Sequence, residues 1–260
     1  MSLSDDQLDR YARHIVLREI GGAGQQKLLA AKVLVVGAGG LGSPLLLYLA
    51  AAGVGTLGVI DDDAIDLSNL QRQVLHGTGD VGRPKVESAS ARLKEINPDI
   101  TVIEHKARLT AENAAEVIEG YDLVADGSDN FETRFLLNDA CYFLKKTLVS
   151  GAILQFDGQI STFKAHETGD HPCYRCLFPA PPPLDIARTC GEAGVLGALA
   201  GVIGSMQAVE VVKELLSLGE GLSGKLLLYD ALSAEIRRIT THRDPACVLC
   251  GENPTRHGIK

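Results

Sequence analysis

The chain has 260 residues, 33 acidic against 25 basic side chains, a net charge of −8 and a hydrophobic share of 45%. This is the composition of a folded globule long enough to bury a sizeable core, so a disordered, collagen-like or mucin-like chain is excluded. The negative balance would repel a phosphate backbone, so no nucleic acid is expected as principal partner.

The opening MSLSDDQLDRYARHIVLREI is acidic at its start and has no apolar stretch of signal-peptide type. A cytoplasmic location is expected. Leu8, Tyr11 and Ile15 fall near helical spacing, with Arg10, Arg13 and Arg18 as solvent-side candidates, which reads as an amphipathic segment. From Val33 to Ile60 there is no charge, a run long enough to span a bilayer, but seven glycines and Pro44 interrupt it. It reads better as strand, turn, helix and strand in a covered sheet.

Within that run Val33–Val36 leads into Gly37-Ala-Gly39-Gly40-Leu-Gly42, a G-x-G-x-x-G loop, then an apolar helix to about Ala52 and a second strand, Leu57–Ile60. Asp61 follows, nineteen residues after Gly42. Glycines after a strand let backbone approach phosphate at a helix N-terminus, and an acid at the end of the next strand can bond ribose hydroxyls. The bland alternative is a glycine turn required only for helix–sheet packing, and the loop alone does not say which nucleotide. Asp62 and Asp63 extend the acid into a run that reads as a solvated strand end.

Next come Ser68-Asn69-Leu-Gln-Arg72-Gln73 and Lys85, which lies just inside a helix that Pro84 can start and that runs to Ile96. A dehydrogenase needs little positive charge beyond the pyrophosphate, whereas attack on a triphosphate needs cations to take up charge on the leaving group. Arg72 and Lys85 can supply it, although either alone would pass for a surface cation. Further runs at Ile100–Ile103, Leu123–Ala125 and Thr147–Val149 alternate with helical patterns at Ala111–Ile118 and Glu132–Leu144, giving a mostly parallel sheet covered on both faces. Asp129, in Asp126-Gly-Ser-Asp129-Asn130, follows the fourth run, where open α/β sheets bind ligands. It is a magnesium-ligand candidate, with a helix cap as the alternative.

Beyond about residue 150 the pattern changes. Gln159–Lys164, Lys225–Tyr229 and Glu235–Thr240 read as strands, and a helix from about Val195 to Leu218 lies between the first two. The uncharged run Ala193–Val209 is at the lower limit for a spanning helix and contains Ser205 and Gln207, so it reads as a buried helix and no membrane association is expected. Phe163 to Gly194 has loop composition with a proline triplet, and a connection this long is usually a lid or binding loop. The expected organisation is a single domain over 1–260, with a nucleotide-binding half to about 150 followed by crossover loop, antiparallel strands and a zinc-binding tail.

Six cysteines occur. Cys173 with Cys176, and Cys247 with Cys250, form two C-x-x-C pairs, which in a chain without an export signal favour zinc thiolates over disulfides. Four thiolates close a tetrahedral zinc and leave no place for substrate, so its role would be structural. A redox dithiol is the alternative for either pair. Cys141 reads as a buried small hydrophobe. Cys190, two residues after Arg188, reads either as a thiol activated by that cation or as a packed loop cysteine.

RYAR at 10–13, GAGGLG at 37–42, the acid at 61, SNLQRQ at 68–73, GRPK at 82–85, GSDN at 127–130, CYRC, TCGEAGV and CVLC together resemble the MoeB/ThiF/HesA family. These are bacterial relatives of ubiquitin-activating enzymes, and the likeness is greatest to the molybdopterin-synthase adenylyltransferases. The resemblance implies an α/β, Rossmann-like fold and a homodimeric enzyme using ATP and magnesium. It implies adenylation of the terminal glycine of a small ubiquitin-like sulfur carrier ending in Gly-Gly. It also implies that Asp61 binds ribose, that Asn69, Arg72 and Lys85 handle phosphates, that Asp129 holds magnesium and that Arg13 reaches the partner's ATP. In the thiamine-pathway members the cysteine matching Cys190 can bond the carrier, and in the molybdopterin members it is dispensable. The family's usual TDN is SDN here, which leaves Asp129 intact. An NAD-dependent oxidoreductase with a structural zinc, or a non-catalytic carrier-binding scaffold, are the rival readings. The first explains Gly37, Gly39, Gly40, Gly42 and Asp61 but gives Arg72, Lys85 and Asp129 no purpose.

Overall fold

Five short β-rich runs, the first four each followed by a helical or loop crossing, build the first part of the sheet. The computed structural model describes residues 3–181 and 193–259. Strands β1 (Lys32–Val36), β2 (Thr56–Ile60), β3 (Thr101–His105), β4 (Leu123–Asp126) and β5 (Thr147–Leu154) pair in parallel, and β6 (Asp157–Phe163), β7 (Lys225–Asp230) and β8 (Glu235–Thr240) continue antiparallel. The order is β3-β2-β1-β4-β5-β6-β7-β8. The chain reverses its winding between β1 and β4, which opens a crevice at the C-terminal ends of those two strands.

Alternation along β1 divides the core into two layers. Val33 and Val35 pack with Leu45, Leu46 and Leu49 of α4 (Gly42–Ala52), Leu93 of α5 (Lys85–Ile96) and Val211 of the long helix Gly197–Leu216. Leu34 and Val36 pack with Ile118 of α6 (Ala114–Glu119) and Leu137 of α7 (Phe131–Phe143). A strand buried on both faces has no apolar–polar alternation, which is why β1 and β2 read as unbroken apolar runs. With α8 at Tyr174–Leu177, the long helix is α9. It crosses α4 so closely that a Cβ on Gly204 would lie 2.5 Å from the Leu41 carbonyl oxygen.

Some boundaries differ from the sequence reading. The first amphipathic segment is two short helices, α1 (Asp5–Arg10) and α2 (Ala12–Ile15), followed by α3 (Gly21–Ala30). The break falls at Tyr11, which is 2% exposed, accepts a hydrogen bond from Asn97 Nδ2 at 2.8 Å and fills the space where a side chain on Gly53 would stand. Burying Tyr11 takes precedence over continuing the helix. Strand β5 runs five residues past Val149 because it pairs with β6 in a hairpin through Leu154↔Asp157. Cys141 is buried, as expected of a small hydrophobe, and burial pushes its thiol well above the usual range. Among the described residues no helix is long and apolar enough to cross a membrane.

Candidate active site

The loop after β1 takes its shape from two glycines. Gly37 has φ +91°, a left-handed conformation that a side chain would strain, and a Cβ on Gly42 would fall 1.9 Å from the Gly37 carbonyl oxygen. Gly42 starts α4, so these two allow the chain to turn from strand into helix. Gly39 and Gly40 differ. A Cβ on Gly39 would meet nothing closer than 3.6 Å, at Gln73, and one on Gly40 nothing closer than 3.3 Å, at Ala200. Packing does not demand a glycine at Gly39, so its bare backbone leaves room on the cavity side.

That cavity, about 370 Å³, lies at the β1–β4 crevice. Gly37, Gly39, Gly40 and Asp61 line it from the β1 and β2 ends, and Arg72, Lys85 and Asp129 complete the wall. Gly42 lies beneath the loop. Asn69 does not line the cavity: it belongs to the short 3-10 turn Leu67–Asn69, where its Oδ1 accepts the Asp66 N–H at 3.2 Å. Arg13 is exposed on α2 and does not line this chain's own cavity. Cys190 lies outside the described residues.

Asp61 secures the loop. Its Oδ2 accepts the Ala38 N–H at 2.8 Å and its Oδ1 accepts the Asp63 N–H at 2.9 Å, with Lys85 Nζ 3.9 Å away. Burial raises its carboxyl above the ordinary value, opposed by Lys85 and the two amides. Lys85 is not a surface cation. Pro84 caps its helix, Lys85 is 6% exposed, and its Nζ donates to Asp63 Oδ2 at 2.6 Å. Arg72 donates Nη1 to the Ser68 carbonyl at 3.2 Å and has no carboxylate partner among the described residues. The helix-cap alternative for Asp129 does not hold, because Asn130 caps α7 by accepting the Thr133 N–H at 2.9 Å. Asp129 stays exposed at the cavity with both oxygens uncommitted among the described residues, a donor set suited to a hard cation.

Three residues that sequence reasoning passed over belong to the same wall or its support. Arg134 lines the cavity at 8% exposure, donates Nη2 to the Ser128 carbonyl at 3.0 Å, and leaves Nε without a partner among the described residues. A buried guanidinium with no carboxylate partner is suited to an anion brought by a ligand. Asp126 gathers Ser128 and Ser150, which shapes the turn before Asp129. Gln73, 4% exposed, also lines the cavity, and its amide oxygen has no partner among the described residues. The available signal was an arginine set among Phe131, Phe135 and Leu136 in a helix whose N-terminus meets the site.

The two C-x-x-C pairs meet. Cys173 Sγ lies 3.8 Å from Cys176 and 3.6 Å from Cys247, Cys176 lies 3.4 Å from Cys250, and all four sulfurs fall within 4.8 Å of one another. Disulfide sulfurs stand about 2.05 Å apart, whereas sulfurs at about 2.3 Å from one tetrahedral metal stand about 3.8 Å apart. The spacing therefore suits a four-thiolate metal site. The Asp244 N–H points at Cys176 Sγ at 3.4 Å, a contact that supports a thiolate. The cluster sits beyond α7, whose Asp139 receives Arg175 at 2.7 and 2.8 Å and Arg256 at 3.2 Å.

A model of the ThiF family matches residues 11–249. The sulfur carrier protein adenylyltransferase of Thermus thermophilus is 52% identical, with the alignment covering 100% of this chain and 96% of the relative. The SAMP-activating enzyme E1 of Haloferax volcanii is 50% identical, covering 97% and 92%. The adenylyltransferase and sulfurtransferase MOCS3 of Culex quinquefasciatus is also 50% identical, but this chain spans only 57% of that relative's length. Among solved structures, E. coli MccB superposes with a TM-score of 0.83 at 25% identity, over 98% of this chain and 75% of that one.

Proposed function

The chain belongs to the ThiF family, and on that footing we propose that it is an adenylyltransferase acting on the C-terminal glycine carboxylate of a small ubiquitin-like sulfur carrier, releasing pyrophosphate from ATP. The observation that carries this reading is the grouping of a glycine loop, Asp61, Arg72, Lys85, Arg134 and Asp129 around one cavity. A nicotinamide-dependent oxidoreductase would use the loop and the acid and leave the cations idle. The whole chain acts as one adenylyltransferase domain, nucleotide-binding to about residue 150.

ATP lies along the loop with its ribose at Asp61 and its phosphates toward Arg72 and Lys85, while Asn69, off the cavity, shapes the turn that carries Arg72. The carrier's carboxylate, already ionised at neutral pH, attacks the α-phosphorus, so no side-chain base or nucleophile is required. Arg72 and Lys85 stabilise charge that develops on the departing pyrophosphate. Arg134 holds the Ser128 carbonyl and so steadies the turn bearing Asp129. Magnesium, held by Asp129, would supply further charge neutralisation at the phosphates. A second copy of the chain contributes its Arg13 to the ATP, making the enzyme a homodimer. Zinc occupies the four-cysteine site in a structural role, and reduced thiols of this kind suit a cytoplasmic location.

Pyrophosphate exchange into ATP, with each candidate carrier supplied in turn, tests the reading. Exchange that requires a carrier ending in Gly-Gly supports it, and thermal stabilisation by NAD but not by ATP would overturn it. Cys190→Ala is expected to keep exchange within a few-fold of the parent, since a thiol has work only after adenylation, in sulfur transfer to the carrier. Loss of exchange in a folded variant that still binds ATP would contradict attack by the carboxylate alone.

The glycines give a paired prediction. Gly39→Ala should leave thermal stability almost unchanged yet weaken ATP binding about tenfold or more, whereas Gly42→Ala should lower stability itself, because its methyl would overlap the Gly37 carbonyl. Thermal unfolding combined with ATP titration reads both. Equal stability loss in the two variants would assign Gly39 to packing.

A further inference from the structure

His76 lies behind the glycine loop, 7% exposed and outside the cavity lining. Its Nε2 is 2.9 Å from the Ala38 carbonyl oxygen and its Nδ1 is 3.0 Å from Ser88 Oγ on α5. A carbonyl only accepts, so Nε2 carries the proton, and in a neutral ring Nδ1 accepts from the Ser88 hydroxyl. Burial lowers the imidazole below its ordinary value, with Lys85 acting in the same direction, while the hydrogen bond to the Ala38 carbonyl, Asp80 and Asp61 oppose it.

The Ala38–Gly39 peptide is trans, so its N–H points opposite to its carbonyl. With the carbonyl drawn back to His76, the Gly39 N–H faces the cavity that Gly39 lines, and among the described residues no acceptor takes it. The anchor has a purpose. A peptide ending in glycine flips at little steric cost, and the flipped form would turn a carbonyl oxygen toward an anionic ligand.

We infer that His76 is a positioning residue that holds the Ala38–Gly39 peptide so that the Gly39 N–H meets a phosphate oxygen of the bound nucleotide. This rests on the nucleotide reading of the cavity. One hydrogen bond to a charged group corresponds to a change in affinity of about tenfold.

The test is titration of ATP, and separately of adenosine, into parent protein, His76→Leu and His76→Gln. Leucine removes the donor, while glutamine can place an amide nitrogen near the position of Nε2. His76→Leu should bind ATP about tenfold more weakly and adenosine as the parent does, and His76→Gln should restore ATP binding. ATP affinity unchanged in His76→Leu, or equal weakening toward ATP and adenosine, would overturn the inference. If His76→Leu does not fold, His76→Asn replaces it, its shorter amide reaching Ser88 but not Ala38. Asparagine and glutamine variants that bind ATP alike would then overturn the role. A parent protein that binds no ATP would refute the nucleotide reading itself.

Discussion

Replacing Arg72 with alanine is expected to lower carrier-dependent pyrophosphate exchange by about a hundredfold or more while leaving a folded protein. Arg72 has no carboxylate partner among the described residues, so its removal strands no buried acid. Its charge acts on the leaving pyrophosphate, so the loss should fall mainly on kcat, with a smaller change in KM for ATP. Lys85→Ala should lose at least as much activity and also some stability. Lys85 stands between Asp61 and Asp63, and without it Asp61 keeps its burial but loses the cation that favours its charged form. Near-parental exchange in both variants would refute the assignment of these cations to phosphate.

Replacing Cys247 with serine should take bound zinc from one equivalent per chain to none and release the C-terminal tail from the body of the protein. Structural zinc contributes about 10–16 kcal/mol in isolated zinc-finger peptides, an upper bound here because other contacts also hold the tail. Those contacts are specific: Arg256 reaches the buried Asp139 at 3.2 Å, and the Arg243 N–H donates to Asp170 Oδ1 at 2.8 Å. A fall in melting temperature and faster proteolysis in the tail should therefore appear first. ATP affinity should fall less, because the cysteine cluster packs at the C-terminal end of α7, while Asn130 and Arg134 stand at its other end. Metal analysis under reducing conditions checks the first outcome, and metal-free parent protein with two disulfides would refute it.

The parallel half of the fold was legible because its signals are local. Buried runs such as Val33–Val36, the glycine loop, and Pro84 ahead of an amphipathic pattern each point to one structure at one place. The rest depends on contacts distant in sequence. Tyr11 interrupts a helix because Asn97 and Gly53 receive it, and nothing near residue 11 announces either partner. Strand β5 continues through Ser150 and Gly151, where β propensity drops, because β6 supplies the pairing. For β3 the apolar run predicted Ile100–Ile103, but Ile100 is buried just before the strand, and the polar Glu104 and His105 extend it along β2. In the site, Gly37, Asp61 and Lys85 carry positional signatures, whereas Arg134 inside a helix gives no hint that its guanidinium meets the cavity.

The four-cysteine cluster also sets an order of events during synthesis. Cys173 and Cys247 are 74 residues apart, and at about 5–20 residues per second the second pair is translated about 4–15 s after the first. Until then a nascent chain presents half a metal site, and Asp139 lacks the contact from Arg256, which follows the second cysteine pair. Strands β1 to β5 have all been translated by that time and can pair without waiting. Metal supply and thiol protection therefore matter most once Cys247 and Cys250 have been made, when this segment closes over a body that has already taken shape.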